Sequence, residues 1–230
     1  MKQPRISLVM VINNHAEAEQ FSRSLVALRQ QDYQNWELLV CVRQTGLLAS
    51  LKEKQVRVFD VSGYKKLGQI MNYALAQSQG LYWAQICVSE RLCSCWLLEQ
   101  VTFLEENSRY GFVSGRGQAS VRQGQPGRYH FLWGNPFVSR TLLFRKSLLG
   151  VIKGYDESYN HPYLVDYDLC MRLYAYGSRG YILPTQMLQK ESPIKAVCPR
   201  EEAGLRMRGY SKLGMRVLGF PFALTTLIKK

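Results

Sequence analysis

Four strand-like apolar runs, separated by helix-like segments, constrain this chain more than any other feature. Ile6–Ile12 is an apolar run with β-branched residues. Residues 15–31 follow, with Ala18, Phe21, Leu25 and Leu28 on one helical face. Trp36–Val42 and residues 56–61 read as second and third strands. Residues 65–79 form a predicted helix with Leu67, Ile70, Met71, Ala74 and Leu75 on one side and Gly80 as its C′ stop. Residues 81–88 make the next strand. Strands apolar on both faces, alternating with amphipathic helices, predict an α/β fold: a mostly parallel sheet with helices on both faces. Ligands on such a sheet sit beyond the carboxyl ends of the strands. That places residues 13–14, 42–45 and 87–90 around one crevice.

The pattern continues with a helix over 94–106, a strand over 111–115, a loop over 119–129 and a strand over 137–144. A short helix over 145–151, a loop over 154–161, a helix over 166–176 and a strand over 179–183, ended by Pro184, complete it. A chain of 230 residues suits one domain with a tail, divided here as 1–195 and 196–230. The six cysteines are scattered through apolar runs, which predicts a reducing compartment and no disulfide framework. Cys93-Ser-Cys95 is a tight pair without the second pair or nearby His that a zinc site needs. The net charge of +13 favours anionic partners. No zinc-finger, RNA-recognition or helix-turn-helix pattern accompanies it, so nucleic acid is not the expected partner. No apolar run approaches the roughly 20 residues of a spanning helix, and residues 6–12 are too short for a signal peptide. A soluble or peripheral cytoplasmic protein is expected.

Six segments, in order and at ordinary spacing over residues 5–190, resemble the GT-A glycosyltransferases of family 2. ISLVMVINN at 6–14 is similar to the opening V-S-V-I-I-P-V-Y-N, with Asn14 keeping the last position. Residues 25–33 and WELLV at 36–40 resemble S-L-L-x-Q-T-Y and F-E-I-I-V. Asn72, Gly80 and Tyr82 match R-N-x-G…A-x-G-E-Y. FRK at 144–146 and GYDE at 154–157 resemble L-F-R-R-S…G-G-F-D-E, and DYDLCMRL at 166–173 resembles E-D-Y-D-L-W-L-R-L without its first Glu. The resemblance implies a Rossmann-like nucleotide-diphospho-sugar transferase fold. It implies an inverting hexosyltransferase that moves a sugar from a nucleotide-sugar donor to a glycan or lipid-linked acceptor, as in polysaccharide biosynthesis.

It also implies roles for particular residues. Asp166 matches the acceptor-activating base; its bland alternative is helix capping, since Asp favours a first helical turn. Asn14, Arg43, Asn72, Ser89 and Glu90 fall at donor-binding positions. Cys87 and Ser89 stand where an Asp-x-Asp would hold a divalent Mn or Mg ion, leaving Glu90 as a lone candidate metal ligand or, as the preferred reading, an ordinary exposed loop acid. Val42 and Arg43 replace an acidic pair; Arg43 is either a phosphate ligand or a solvated charge. His161 is a second possible ligand or a surface residue. With the acids lost, Lys65, Lys66, Arg91, Arg140 or Arg43 could neutralise a diphosphate without metal. Two readings follow: an active transferase, or a catalytically degenerate relative acting as a binding or scaffolding subunit to a protein partner. The basic, partly apolar tail suits either an anionic membrane surface or packing on the domain.

Overall fold

The computed structural model describes residues 3–48, 51, 53–88, 90–116, 123–190, 201, 202, 204 and 205. Its elements run β1 (Ile6–Ile12), α1 (His15–Arg29), β2 (Trp36–Val42), β3 (Val56–Asp60), α2 (Leu67–Gln77), β4 (Tyr82–Ile86) and β5 (Arg91–Leu92). After these come α3 (Trp96–Glu106), β6 (Phe112–Arg116), β7 (Leu143–Arg145), α4 (Lys146–Val151), α5 (Pro162–Tyr176), β8 (Gly180–Gln186) and β9 (Leu188–Lys190). Seven strands form one sheet in the order β3-β2-β1-β4-β7-β6-β8. β1 to β4 pair in parallel, with Ile6 opposite both Trp36 and Tyr82. β7 alone is antiparallel to its neighbours, so β6 and β8 again point the same way as β1. The expected mostly parallel α/β sheet is therefore present.

Side chains alternate between two cores, one on each face. Val9, Leu39 and Trp83 pack with Ile70 and Met71 of α2 and Leu169 and Leu173 of α5. Leu8, Met10, Leu38, Val40 and Ala84 pack with Phe21 and Leu25 of α1 and Leu97 and Val101 of α3. The period of two along each strand assigns successive residues to opposite faces. This is why β1 and β2 are apolar almost throughout.

Several local expectations are corrected. Gly80 is not a left-handed helix stop: α2 ends at Ser78 in an extended conformation. Gly80 is required by close approach, because a Cβ there would lie 2.6 Å from the Ser7 nitrogen. The strand expected over 137–144 shrinks to Leu143–Arg145, preceded by a 3-10 turn at Ser139–Thr141. Local side-chain bonds curl this segment: Asn135 Oδ1 accepts from the Phe137 amide, and the Thr141 hydroxyl donates to the Val138 carbonyl. β8 runs through Pro184, which an edge strand tolerates. The short β5–β9 pair gave no periodic signal. α5 begins at Pro162, four residues before the expected start, with His161 as N-cap and proline at the first position.

Glu37 on β2 is a buried acid in the sheet, 1% exposed. Its Oε1 accepts from the Ser7 hydroxyl and the Gln79 amide, each at 2.6 Å, and its Oε2 lies 2.8 Å from Arg57 and 3.6 Å from Arg5. It joins β1, β2, β3 and the α2–β4 connection at the end of the sheet opposite the crevice. The five described cysteines are free thiols. Among the described residues, no helix is long and apolar enough to cross a membrane. Most of the tail lies outside the described residues. Leu205, which is described, is buried in the α2/α5 core, and Tyr163 Oη donates to Glu202 at 3.2 Å.

Candidate active site

The segment after β4 is held by α1 and by the turn before β7. The Ser24 hydroxyl of α1 donates to the Val88 carbonyl. Glu90 then turns inward and is 7% exposed, so it is not the exposed loop acid the sequence suggested. Its Oε1 lies 2.7 Å from Nε of Arg140, on the 3-10 turn before β7. That turn is fixed: the Thr141 carbonyl accepts from Gln100 Nε2 at 2.6 Å, and its hydroxyl accepts from the Gly115 amide at 3.0 Å. The Glu90–Arg140 contact is a close ion pair between two largely buried side chains. Burial raises the Glu90 carboxyl to about 7, against the opposing pull of Arg140.

Asp166 sits in the second turn of α5 and is 3% exposed. The capping alternative therefore fails: His161 Nδ1 accepts from the Tyr163 amide at 3.2 Å and does that work. Burial drives the Asp166 carboxyl well above its ordinary value of 3.8; a hydrogen bond from the Ser139 hydroxyl opposes the rise, and the Glu90 charge adds to it. Burial and then Glu90 push the Cys87 thiol up to about 12, with Arg140 pulling the other way and Asp166 adding a further push. Cys87, Glu90, Arg140, Ser139 and Asp166 thus form one electrostatic cluster at the carboxyl end of β4. Tyr155 belongs to the same wall: its hydroxyl accepts from Trp83 Nε1 at 2.7 Å, and it too feels the Asp166 charge.

The remaining candidates divide. Arg43, at the end of β2, donates to Asn160 Oδ1 at 3.3 Å, and its Nε is buried without a partner. Asn160 Oδ1 also accepts from the Leu67 amide, so it links the end of β2, the start of α2 and the approach to α5. Asn14 caps α1 by accepting from the Glu17 amide at 3.0 Å. Asn72 donates to the Tyr155 carbonyl and to Glu157 and accepts from the Tyr155 amide, so its side chain anchors the 154–157 loop. Gly154, at φ +68, is needed there, because a Cβ would collide with Asn72 Oδ1. Asp168 holds Arg172 at 2.6 Å, and Arg172 bridges to the Ile152 and Gly154 carbonyls. Ser89 lies outside the described residues.

No family model matches the chain. Over 197 residues it is 26% identical to a Bacillus subtilis (strain 168) protein named "Putative glycosyltransferase EpsE", covering 78% of this chain and 70% of that protein. Its structure superposes with a TM-score of 0.69 on Staphylococcus aureus TarS 1–349 in complex with UDP-GlcNAc, at 15% identity, covering 97% of this chain and 70% of that one. It superposes at 0.65 on the mannosyltransferase PcManGT of Pyrobaculum calidifontis, in complex with GDP-Man and Mn2+, at 16% identity, covering 99% and 70%. The chain has the GT-A glycosyltransferase fold.

Within this GT-A domain the described residues do not fit a divalent ion. A hard cation wants several oxygen ligands, chiefly carboxylates. At the Asp-x-Asp position the described residues offer Glu90 alone, beside a protonated thiol and already against a guanidinium. Among the described residues, no three of the His, Cys, Asp and Glu side chains converge as metal ligands. Sequence reading overlooked Ser139, Tyr155 and Asn160. The signal for Ser139 and Arg140 was their place just before the FRK segment; nothing in periodicity marked that stretch as a turn.

Proposed function

We propose that this GT-A domain transfers a sugar from a nucleotide-sugar donor to a hydroxyl of a glycan or lipid-linked acceptor, with inversion. The acceptor oxygen bonds to the anomeric carbon as the bond to the donor phosphate breaks. The proton passes to Asp166, and the nucleoside diphosphate leaves. The observation that carries this reading is the burial of Asp166 in the crevice wall beside Cys87 and Glu90, with no capping duty to account for it. A buried carboxyl is a stronger base than an exposed one once ionised. Arg43 stands at the end of β2, where a nucleotide crossing the strand ends would pass.

A second reading, a scaffold that no longer transfers sugar, is favoured by Asn14 and Asn72, whose side chains serve capping and loop anchoring. Either reading allows residues 196–230, basic and apolar by sequence, to bring the domain to an anionic inner membrane face where lipid-linked acceptors reside.

A panel of nucleoside diphosphates tests the first reading through thermal unfolding. One of UDP, GDP or CDP is expected to raise the Tm steadily with the logarithm of its concentration above Kd, adding about 2.7 kcal/mol at a hundred times its Kd. A flat response to the whole panel, with sugar nucleotides equally silent, would favour the scaffold.

A further inference from the structure

We propose that Cys93, Cys95 and Met187 form a three-sulfur site for a soft monovalent cation, copper(I). The inference is independent of the transferase reading and uses none of the crevice residues.

The sulfurs come from two segments that the fold brings together. Cys93 and Cys95 lie between β5 and α3, with their Sγ atoms 2.8 Å apart. Met187 lies between β8 and β9, and its Sδ is 3.7 Å from Cys93 Sγ. Sulfurs that share one ion at bonds of about 2.3 Å stand about 3.7–4.0 Å apart, so Cys93 and Met187 already have that spacing. The two thiols have to part by about 1 Å. Both are partly exposed, which leaves their side chains room to turn and an ion a way in.

The backbone around the sulfurs is fixed. The Cys93 amide donates to the Met187 carbonyl at 2.9 Å, next to the β5–β9 pairing. The Cys93 carbonyl accepts from Gln31 Nε2 at 2.8 Å, and the Ser94 carbonyl accepts from the Asp32 amide at 2.9 Å. Met187 is fully buried, and its seat depends on Gly115, where a Cβ would come within 2.1 Å of Met187 Cγ. Two thiols at the surface thus meet a thioether fixed in the core.

The donor set selects the ion. Thiolate and thioether sulfurs are soft ligands and favour copper(I). Zinc would ask for a fourth thiolate or imidazole, which the described residues do not supply here. Glu99, beside Cys95, is held by the Thr185 hydroxyl at 2.6 Å and serves as an outer partner. Binding releases the two thiol protons to solvent, and the ion with two thiolates and one thioether carries a single net negative charge.

The test is anaerobic titration of the reduced full chain with copper(I) against the chromophoric chelator bicinchoninate, alongside Cys93→Ser, Cys95→Ser, Met187→Leu and Cys198→Ser. The unmodified chain is expected to take one copper(I) ion from the chelator. Cys93→Ser and Cys95→Ser should each weaken binding by about 100-fold or more, beyond the roughly 10–100-fold typical of losing an outer partner. Met187→Leu keeps the core volume and should weaken binding by about 10-fold. Cys198→Ser should bind as the unmodified chain does. X-ray absorption of the copper-loaded, unmodified chain should show three sulfur neighbours, a readout that needs no variant to fold. Copper left on the chelator, full affinity in either cysteine-to-serine variant at 93 or 95 or in Met187→Leu, or loss of binding in Cys198→Ser would each overturn the site. So would a copper ion bound through nitrogen or oxygen. Failure here leaves the donor-binding reading standing, because the nucleoside diphosphate panel tests that separately.

Discussion

Replacing Asp166 with Asn is expected to lower the sugar-transfer rate by about 10²–10⁴-fold, the usual contribution of a positioned base, while leaving nucleoside diphosphate affinity within a few-fold. Asn keeps the size of Asp and can still accept from Ser139, so the loss would report the missing proton acceptor. The same change is expected to stabilise the fold. Burial raises the Asp166 carboxyl well above 3.8, so the folded protein keeps a proton that the unfolded chain releases. Stability then falls as pH rises above that ordinary value, because the unfolded state is the one that gains by ionising. Glu90, raised from 4.5 to about 7, acts in the same sense over that interval. Asp166→Asn should therefore raise the Tm more at pH 8 than at pH 5, with a gain of about 1 kcal/mol typical when a destabilising functional residue is neutralised. The kcat/KM of the unmodified protein should climb with pH as Asp166 ionises, and the residual rate of the variant should not. Unchanged turnover in Asp166→Asn would take the residue out of the mechanism.

Glu37→Ala is expected to be the most destabilising single truncation outside the apolar core, costing about 2–4 kcal/mol, as when two donors lose their buried acceptor. For a domain of this size that is a drop of roughly 10 °C in Tm. Arg5 and Arg57 are each more than one-third exposed, so their attraction is screened. Most of the effect should come from the buried Ser7 hydroxyl and the Gln79 amide, which lose their acceptor. Burial alone would raise the Glu37 carboxyl; the bonds from Ser7 and Gln79 and the charges of Arg5 and Arg57 outweigh it and hold the carboxyl below 4.5. Its contribution is thus present above pH 4.5 and is lost as pH falls through the depressed value. Urea unfolding at pH 7 and pH 3.5 checks both points: the gap between variant and parent should narrow at the lower pH. A loss below about 1 kcal/mol at pH 7 would mean that water replaces these partners.

The first half of the fold was legible because β1, β2 and β4 carry apolar residues on both faces, a pattern with few other outcomes. The second half was less so. The 137–144 segment has the composition of a strand, but Asn135 and Thr141 curl most of it through side-chain bonds that no periodicity announces. α5 was placed four residues late, because a His-Pro start looks like loop until proline is seen at the first helical position. That shift matters for function, since it moves Asp166 out of the capping turn and into the crevice wall. That 42–43, 87 and 89 carry no acids was plain in the sequence. The pairing of Arg140 with Glu90 was not, because the two are fifty residues apart in the chain and meet only through the fold.

We propose that the carboxyl ends of β1, β2 and β4, with α5, hold a nucleotide-sugar donor. A crystal structure with bound UDP or GDP tests it most directly. The nucleotide is expected to run past Arg43, with its diphosphate at the 87–90 loop and its open end facing Asp166. A nucleotide bound at another surface, with Arg43, Glu90 and Asp166 untouched, would contradict it.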